Sequence, residues 1–266
     1  MIRKYFWWVI CLSLMLLPSC VSNKASLREH KGSYLESVKL NFEAGEDLLK
    51  KQEYDKAIAY FQFVRSKYPF SQYVALSDLR IADVKYAQKK WLDAASAYEI
   101  FIRLHPRHEE VAFASFRLGS SYFYAIPSDF FLWPSSSSRD QSFTKEALSA
   151  VERFMYAFPD SEHMSEAARM RSELFSKLAQ ANLHVASYYK RRNRYEAALA
   201  RYLSVSELYP EAKEAAESLF KAARIAQHDL KELERAKEIY GLIIEQKAES
   251  SFAEQARKEL EKLEKS

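Results

Sequence analysis

Three sets of side chains set the chemistry open to this 266-residue chain. The first is a thiol, Cys20, which follows Leu17-Pro18-Ser19 and ends a segment with basic Arg3 and Lys4 and an apolar run over residues 5–17. A run of that length suits the core of an export signal and falls short of the roughly 20 residues a membrane-spanning helix needs. The second set is His105 and His108, an H-x2-H spacing beside Pro106. A metal site needs more converging ligands than this. The third is the basic run Lys190-Arg191-Arg192-Asn193-Arg194. There is no Gly-rich phosphate loop, no G-x-S-x-G elbow, and no nucleophile paired with a base. The sequence therefore predicts no catalytic residues and no metal ligands.

An aliphatic residue at −3, a small one at −1 and then Cys match the bacterial lipobox. That pattern implies removal of residues 1–19, a diacylglyceryl thioether and an N-acyl chain on Cys20, and no other cofactor. Ordinary secretion with cleavage at a small residue is the alternative. Cys11 leaves with the signal, so Cys20 is the one remaining thiol and no internal disulfide is possible. Lipidation accounts for a lone Cys in an oxidising compartment, and two or more acyl chains anchor stably. The next residue is Val21 rather than Asp, which by the general bacterial sorting rule favours the outer membrane, periplasmic face. Without Arg3 and Lys4 the formal charge falls from +4 to nearly neutral, which gives no electrostatic case for nucleic acid. Residues 20–37 read as a flexible tether, whose 17 residues after the anchor reach roughly 55–60 Å fully extended.

The elements that must position these groups are helices. Only 4 glycines occur, and apolar residues recur at i, i+3, i+4 and i+7. An alanine, a bulky residue four later and a proline twelve later recur as Ala57, Phe61, Pro69; Ala94, Tyr98, Pro106; Ala147, Val151, Pro159; and Ala198, Tyr202, Pro210. Small residues stand twelve before three of these alanines, at Gly45, Ala82 and Ala186. These are marks of the tetratricopeptide repeat, a pair of antiparallel helices that proline terminates. A fifth, degenerate copy runs through Ala236, Tyr240 and Ile243, and a charged helix after it caps the array. The fold class expected is all-α, a right-handed superhelical solenoid of about five tetratricopeptide repeats. Two interruptions break the period. Residues 126–142, rich in Pro and Ser, form a loop inside the third repeat. A Pro- and Gly-free stretch up to Arg191 predicts one long helix joining repeats three and four. The organisation expected is repeats one to three over 38–160, then the connecting helix, repeats four and five and the cap over 161–266.

This arrangement resembles the BamD (ComL-like) family of outer-membrane protein assembly lipoproteins. The specific pieces are Tyr68-Pro69-Phe70, the run from Phe101 to His108, Arg139-Asp140, and the two interruptions with Phe130-Phe131 in the loop. The loop departs from the family in carrying Leu132-Trp133-Pro134 and four serines. The resemblance implies a non-catalytic scaffold of the β-barrel assembly machinery. Its partners would be unfolded outer-membrane proteins, the periplasmic domains of a BamA-like barrel insertase, accessory outer-membrane lipoproteins, and the membrane through the anchor. The alternative is another outer-membrane repeat lipoprotein, a pilotin or periplasmic adaptor, which should keep the period without the two interruptions. A cell-wall enzyme with a helical superhelix would need a catalytic domain, and residues 38–263 are taken up by repeats and cap.

In tetratricopeptide arrays the first helix of each pair lines the concave face. Positions −3, +1 and +4 from the small residue are Phe42, Glu46 and Leu49; Leu79, Asp83 and Tyr86; and Phe116, Ser120 and Phe123. An apolar and aromatic groove suits an extended segment with aromatic side chains. For each residue the competing role is core between repeats. Partner docking is expected at Phe130, Phe131, Arg139 and Asp140, and at Lys190, Arg191, Arg192 and Arg194. The competing roles are a loop folded back on its own protein and cations stabilising a helix C-terminus.

Overall fold

The computed structural model describes residues 33–127 and 140–265. Cys20, Phe130, Phe131 and Arg139 lie outside them. Among the described residues every regular element is helical. Five antiparallel pairs follow one another: α1 (Tyr34–Lys50) with α2 (Tyr54–Lys67), α3 (Tyr73–Ala87) with α4 (Trp91–Leu104), α5 (Val111–Ala125) with α6 (Ser142–Ala157), α7 (Met164–Arg191) with α8 (Tyr195–Leu208), and α9 (Ala215–Arg224) with α10 (Leu233–Gln246). Helix α11 (Ser251–Glu264) packs on the end. The protein is a helical-repeat solenoid.

The chain turns by the same devices in successive repeats. At the end of α2, α4, α6 and α8, the residues before proline, Tyr68, His105, Phe158 and Tyr209, adopt ψ of 56°, 54°, 62° and 58°. The proline ring excludes the helical region for the residue before it, so the helix stops there. Within a pair, the residue two before the second helix is left-handed: Gln52 (φ 61°), Lys89 (φ 58°), Asn193 (φ 57°) and Lys231 (φ 62°). Glycine would adopt this conformation without the steric cost that these four side chains carry. In the third pair the helices end at Ala125 and resume at Ser142, with the inserted segment between them.

Close approach of paired helices depends on the small residues. A Cβ built on Gly45 would sit 2.7 Å from a ring carbon of Phe61, the bulky residue four after Ala57. On Gly119 it would sit 3.1 Å from Val151. Phe61, Tyr98, Tyr202 and Tyr240 are fully or almost fully buried where neighbouring pairs meet. Each of them removes a large apolar surface from water, on the order of 1.5–3 kcal/mol for a Phe-sized side chain.

Two features differ from the sequence reading. The first helix begins at Tyr34, capped by the Ser33 hydroxyl, which accepts from the Glu36 amide at 3.3 Å. The segment read as tether therefore ends before residue 34, and Ser37 is already buried. The sequence missed this because the polar residues Glu36 and Lys39 mask a helix whose core face begins with Ser37, Val38, Asn41 and Phe42, two of them polar. In the fifth pair, α9 runs into a π-helical turn, Ile225–Leu230. Buried Ala223 stands thirteen residues before Ala236 rather than twelve. The wider π turn takes up the extra residue and keeps both alanines in the core.

Candidate functional site

Helices α1, α3 and α5, the first members of the first three pairs, present the groove residues expected from the sequence. Their burial divides them. Phe42 is 8% exposed, Leu79 0%, Phe116 5% and Ser120 1%. These four are core and not ligand-facing surface, which corrects the expectation for them. The −3 position does not look outward because the next pair leans onto it. The Phe42 ring lies 5.5 Å from Phe61 and 5.1 Å from Tyr73 at the start of α3. Leu79 packs with Val111 and Ala114 of α5. Phe116 stacks on His163 at 4.4 Å and 14° and packs on Phe154. The Ser120 hydroxyl donates back to the Arg117 carbonyl at 3.1 Å.

Leu49, Asp83, Tyr86 and Phe123 remain partly accessible. Around them the structure assembles groups that the sequence reading did not single out. Arg80 bridges two repeats: its Nε donates to Glu46 Oε1 at 2.6 Å and its Nη1 to Asp83 Oδ2 at 2.9 Å. The Tyr98 hydroxyl donates to the other Asp83 oxygen at 2.6 Å. Burial works against the charge on Arg80, but Asp83 and Glu46 together outweigh it and hold the guanidinium more firmly charged than usual. Burial first, and then the Asp83 carboxylate, push the Tyr98 hydroxyl far above its ordinary range, so it remains a donor. Beside this chain lies an aromatic cluster. Tyr86 meets Trp91 at 5.1 Å and Tyr124 at 6.3 Å, and Trp91 meets Tyr124 at 5.2 Å. Phe123 abuts Tyr124 at 5.4 Å. Arg117 sits over Tyr86 at 4.4 Å and Phe113 at 5.0 Å. The signal available in the sequence was the pairing of offsets: Arg80 and Arg117 are 37 apart, as are Glu46 and Asp83.

At the other end of the array, Lys190 and Arg191 close helix α7 and Asn193 makes the left-handed turn. Lys190 faces Asp229 at 3.8 Å, and Arg192 lies over Tyr188 at 5.2 Å. Arg191 and Arg194 are exposed and form no ion pair among the described residues. A pocket of ≈ 370 Å³ opens here, lined by Ser187, Lys190, Tyr195, Tyr202 and Asp229 among others. Two cations of the run thus have partners within the chain, and two point into solvent.

The remaining candidates have local roles. Asp140 is exposed and accepts from the Ser142 amide at 3.1 Å and from its hydroxyl at 2.7 Å, which holds its carboxyl below the usual range and caps the start of α6. His105 Nε2 lies 2.9 Å from Asp78, a buried carboxylate that also takes Arg65 at 3.0 Å. His108 Nδ1 accepts from the Glu110 amide at 3.1 Å, and both imidazoles pack on Phe101. The two histidines fasten the turn after α4. Among the described residues no group of three potential ligands could hold a metal ion, and no helix is long and apolar enough to cross a membrane.

A family model described as YfiO, outer membrane lipoprotein, matches residues 36–242. Similar curated proteins carry the name outer membrane protein assembly factor BamD. The one from Neisseria gonorrhoeae is 26% identical over 207 residues, spanning 77% of this chain and 78% of the relative. The one from Vibrio cholerae is 27% identical over 214 residues, spanning 78% and 85%. These relatives are named as assembly factors. Among solved structures, the TPR2AB domain of yeast Sti1 in complex with pHSP90 aligns with a TM-score of 0.45 at 13% identity, covering 82% of this chain and 80% of that one. A tetratricopeptide repeat protein from Parabacteroides merdae aligns at 0.38 and 14%, covering 86% and 93%.

Proposed function

Because the chain belongs to the YfiO family of outer membrane lipoproteins, we propose that it is a non-catalytic scaffold subunit of the β-barrel assembly machinery, held by lipid on Cys20 at the periplasmic face of the outer membrane. Its first three repeats receive extended segments of unfolded outer-membrane proteins on the face formed by α1, α3 and α5. Its last two repeats, with the basic end of α7, dock on the periplasmic domains of a BamA-like insertase and on accessory lipoproteins. The observation that carries the client assignment is the accessible aromatic cluster Tyr86, Trp91 and Tyr124 beside fixed charges on that face. Aromatic rings supply large contact area at low entropic cost, and the Arg80 chain fixes polar groups next to them. Arg191 and Arg194, free of internal partners among the described residues, suit an acidic partner surface.

The reading is tested by affinity purification of the tagged native protein from membranes. Recovery of a large barrel insertase is the expected result, and its absence from gently solubilised membranes overturns the proposal. Cys20→Ala should abolish acyl labelling and release the protein from the membrane fraction. Unchanged fractionation would remove the anchor. Combined Tyr86→Ala and Tyr124→Ala should weaken binding of a carboxy-terminal peptide from a barrel protein with helical circular dichroism preserved.

A further inference from the structure

The charges on the helix-α1, α3, α5 face repeat with the fold, and the repetition breaks at one place. Arg80 and Arg117 each stand two residues before the small residue of their repeat, Ala82 and Gly119. Glu46, Asp83 and Ser120 each stand one residue after it. Arg80 therefore lies between two carboxylates, Glu46 of the preceding repeat and Asp83 of its own, and bonds both. One repeat further on, the equivalent neighbours of Arg117 are Asp83 and Ser120. Both oxygens of Asp83 are already engaged, by Arg80 and by Tyr98. Ser120 carries no charge, and its hydroxyl donates to the backbone.

Among the described residues Arg117 meets aromatic rings and pairs with no carboxylate. Among the described residues its guanidinium forms no hydrogen bond and no ion pair, and its Nε is buried without a partner. The contacts it makes are the faces of Tyr86 and Phe113. Guanidinium cannot shed its proton in a protein, so the charge persists. A ring face offsets some of the lost hydration but offers no in-plane acceptors for the five N–H donors. The residue is only partly buried, so a ligand can reach it. Tyr86, Trp91 and Tyr124 stand beside it, with Tyr124 41% exposed.

We propose that Arg117 is a carboxylate-binding residue, which takes the carboxylate of a bound segment while that segment's neighbouring ring lies on Tyr86, Trp91 and Tyr124. The ligand supplies what the third repeat lacks, the counterpart of the carboxylate Asp83 gives to Arg80. Carboxylate and guanidinium match as a two-point hydrogen-bonded pair, the geometry for which Arg is suited and Lys is not. This deepens the client assignment above and rests on it for the choice of face.

The test uses the full chain and three small probes: N-acetylphenylalanine, N-acetylphenylalaninamide, and N-acetylglutamyl-phenylalaninamide. Binding is followed by chemical-shift titration. At least one acid should bind about tenfold more tightly than the neutral amide, a difference of about 1.4 kcal/mol. Preference for the first acid identifies a chain-terminal carboxylate as the source, and preference for the second an acidic side chain. Arg117→Gln should erase the difference between acid and amide. Ser120→Asp, which supplies the missing internal carboxylate, should erase it too in the folded variant. Equal binding of acids and amide to the unaltered chain overturns the proposal whether or not either variant folds. So does a preference that survives in folded Arg117→Gln. If the preference is absent while the insertase is still recovered from membranes, this inference fails and the proposed function stands.

Discussion

In the first repeat the buried cluster runs from Val38 to Val84 and draws on three successive helices, α1 to α3. The next two clusters do the same along the array, one centred on Tyr98 and Phe101 and one on Phe116 and Phe154. In the last two repeats, beyond a small cluster of Phe175, Ala179, Val205 and Ala212, one large cluster extends from Ala186 to Ala256 and draws on all five helices from α7 to α11. The residue types account for the difference. Eight of the fifteen residues in the large cluster are alanine, which lets helices approach closely and the core run on without a break. In the first three repeats Phe61, Tyr98 and Phe154 fill the gaps between pairs, as Tyr202 and Tyr240 do later, but fewer alanines line them and charged side chains lie between the clusters. Asp78 with Arg65 and His105, and Asp83 with Arg80 and Tyr98, lie between clusters. A segmented half bears the aromatic and charged face, and a continuous half bears the basic end.

Core truncation gives the largest test of this contrast. Phe61→Ala should cost about 3–5 kcal/mol and Ile243→Ala about 2–5 kcal/mol. Native-state hydrogen exchange should confine the loss of protection from the first to α1–α3 and spread that from the second over α7–α11. Equal spreading of both would dissolve the distinction. Gly45→Ala, which drives a methyl group into the Phe61 ring, should cost about 1–3 kcal/mol by chemical denaturation.

Alkaline pH probes one tyrosine in each half. Burial, with Glu259 nearby, pushes Tyr240 up to about 12, and Tyr98 is also raised. In the unfolded chain a phenol ionises near about 10, so the stability each protonated hydroxyl supports is complete below that pH. It is lost as pH climbs through the folded values. Tyr240→Phe should flatten the decline in Tm above about pH 10. Tyr98→Phe should also cost about 0.5–1.5 kcal/mol at neutral pH through its hydrogen bond to Asp83. The smallest effect is a gain. Gln52→Gly and Lys231→Gly relieve left-handed backbone and should each stabilise by about 0.5–1 kcal/mol, one in each half.

The period of Ala57, Ala94, Ala147 and Ala198 to their prolines was enough to read the repeat class and most helix ends, because proline and small residues act locally. The lean of one pair on the next is not local. It decides that Phe42, Leu79 and Phe116 are core while Tyr86 and Phe123, at the +4 position of the same helices, keep access to solvent. Periodicity says which residues share a helix face and is silent on what covers that face. The Arg80 bridge escaped for a related reason: Arg80 stands at offset −2, its partners at +1 of its own and the preceding repeat, and Arg80 alone reads as a solvated charge.

Helix α7 has 28 residues, about 42 Å at the usual rise per residue. Ala167, Met170 and Leu174 seat its first turns in the third repeat, Phe175 and Ala179 join Val205 and Ala212, and Ala186 enters the continuous core. The two halves are therefore splined on one rod with no joint along it. A push or twist on the basic end travels as mechanical load to the third repeat, where Phe116 and His163 meet the root of the rod.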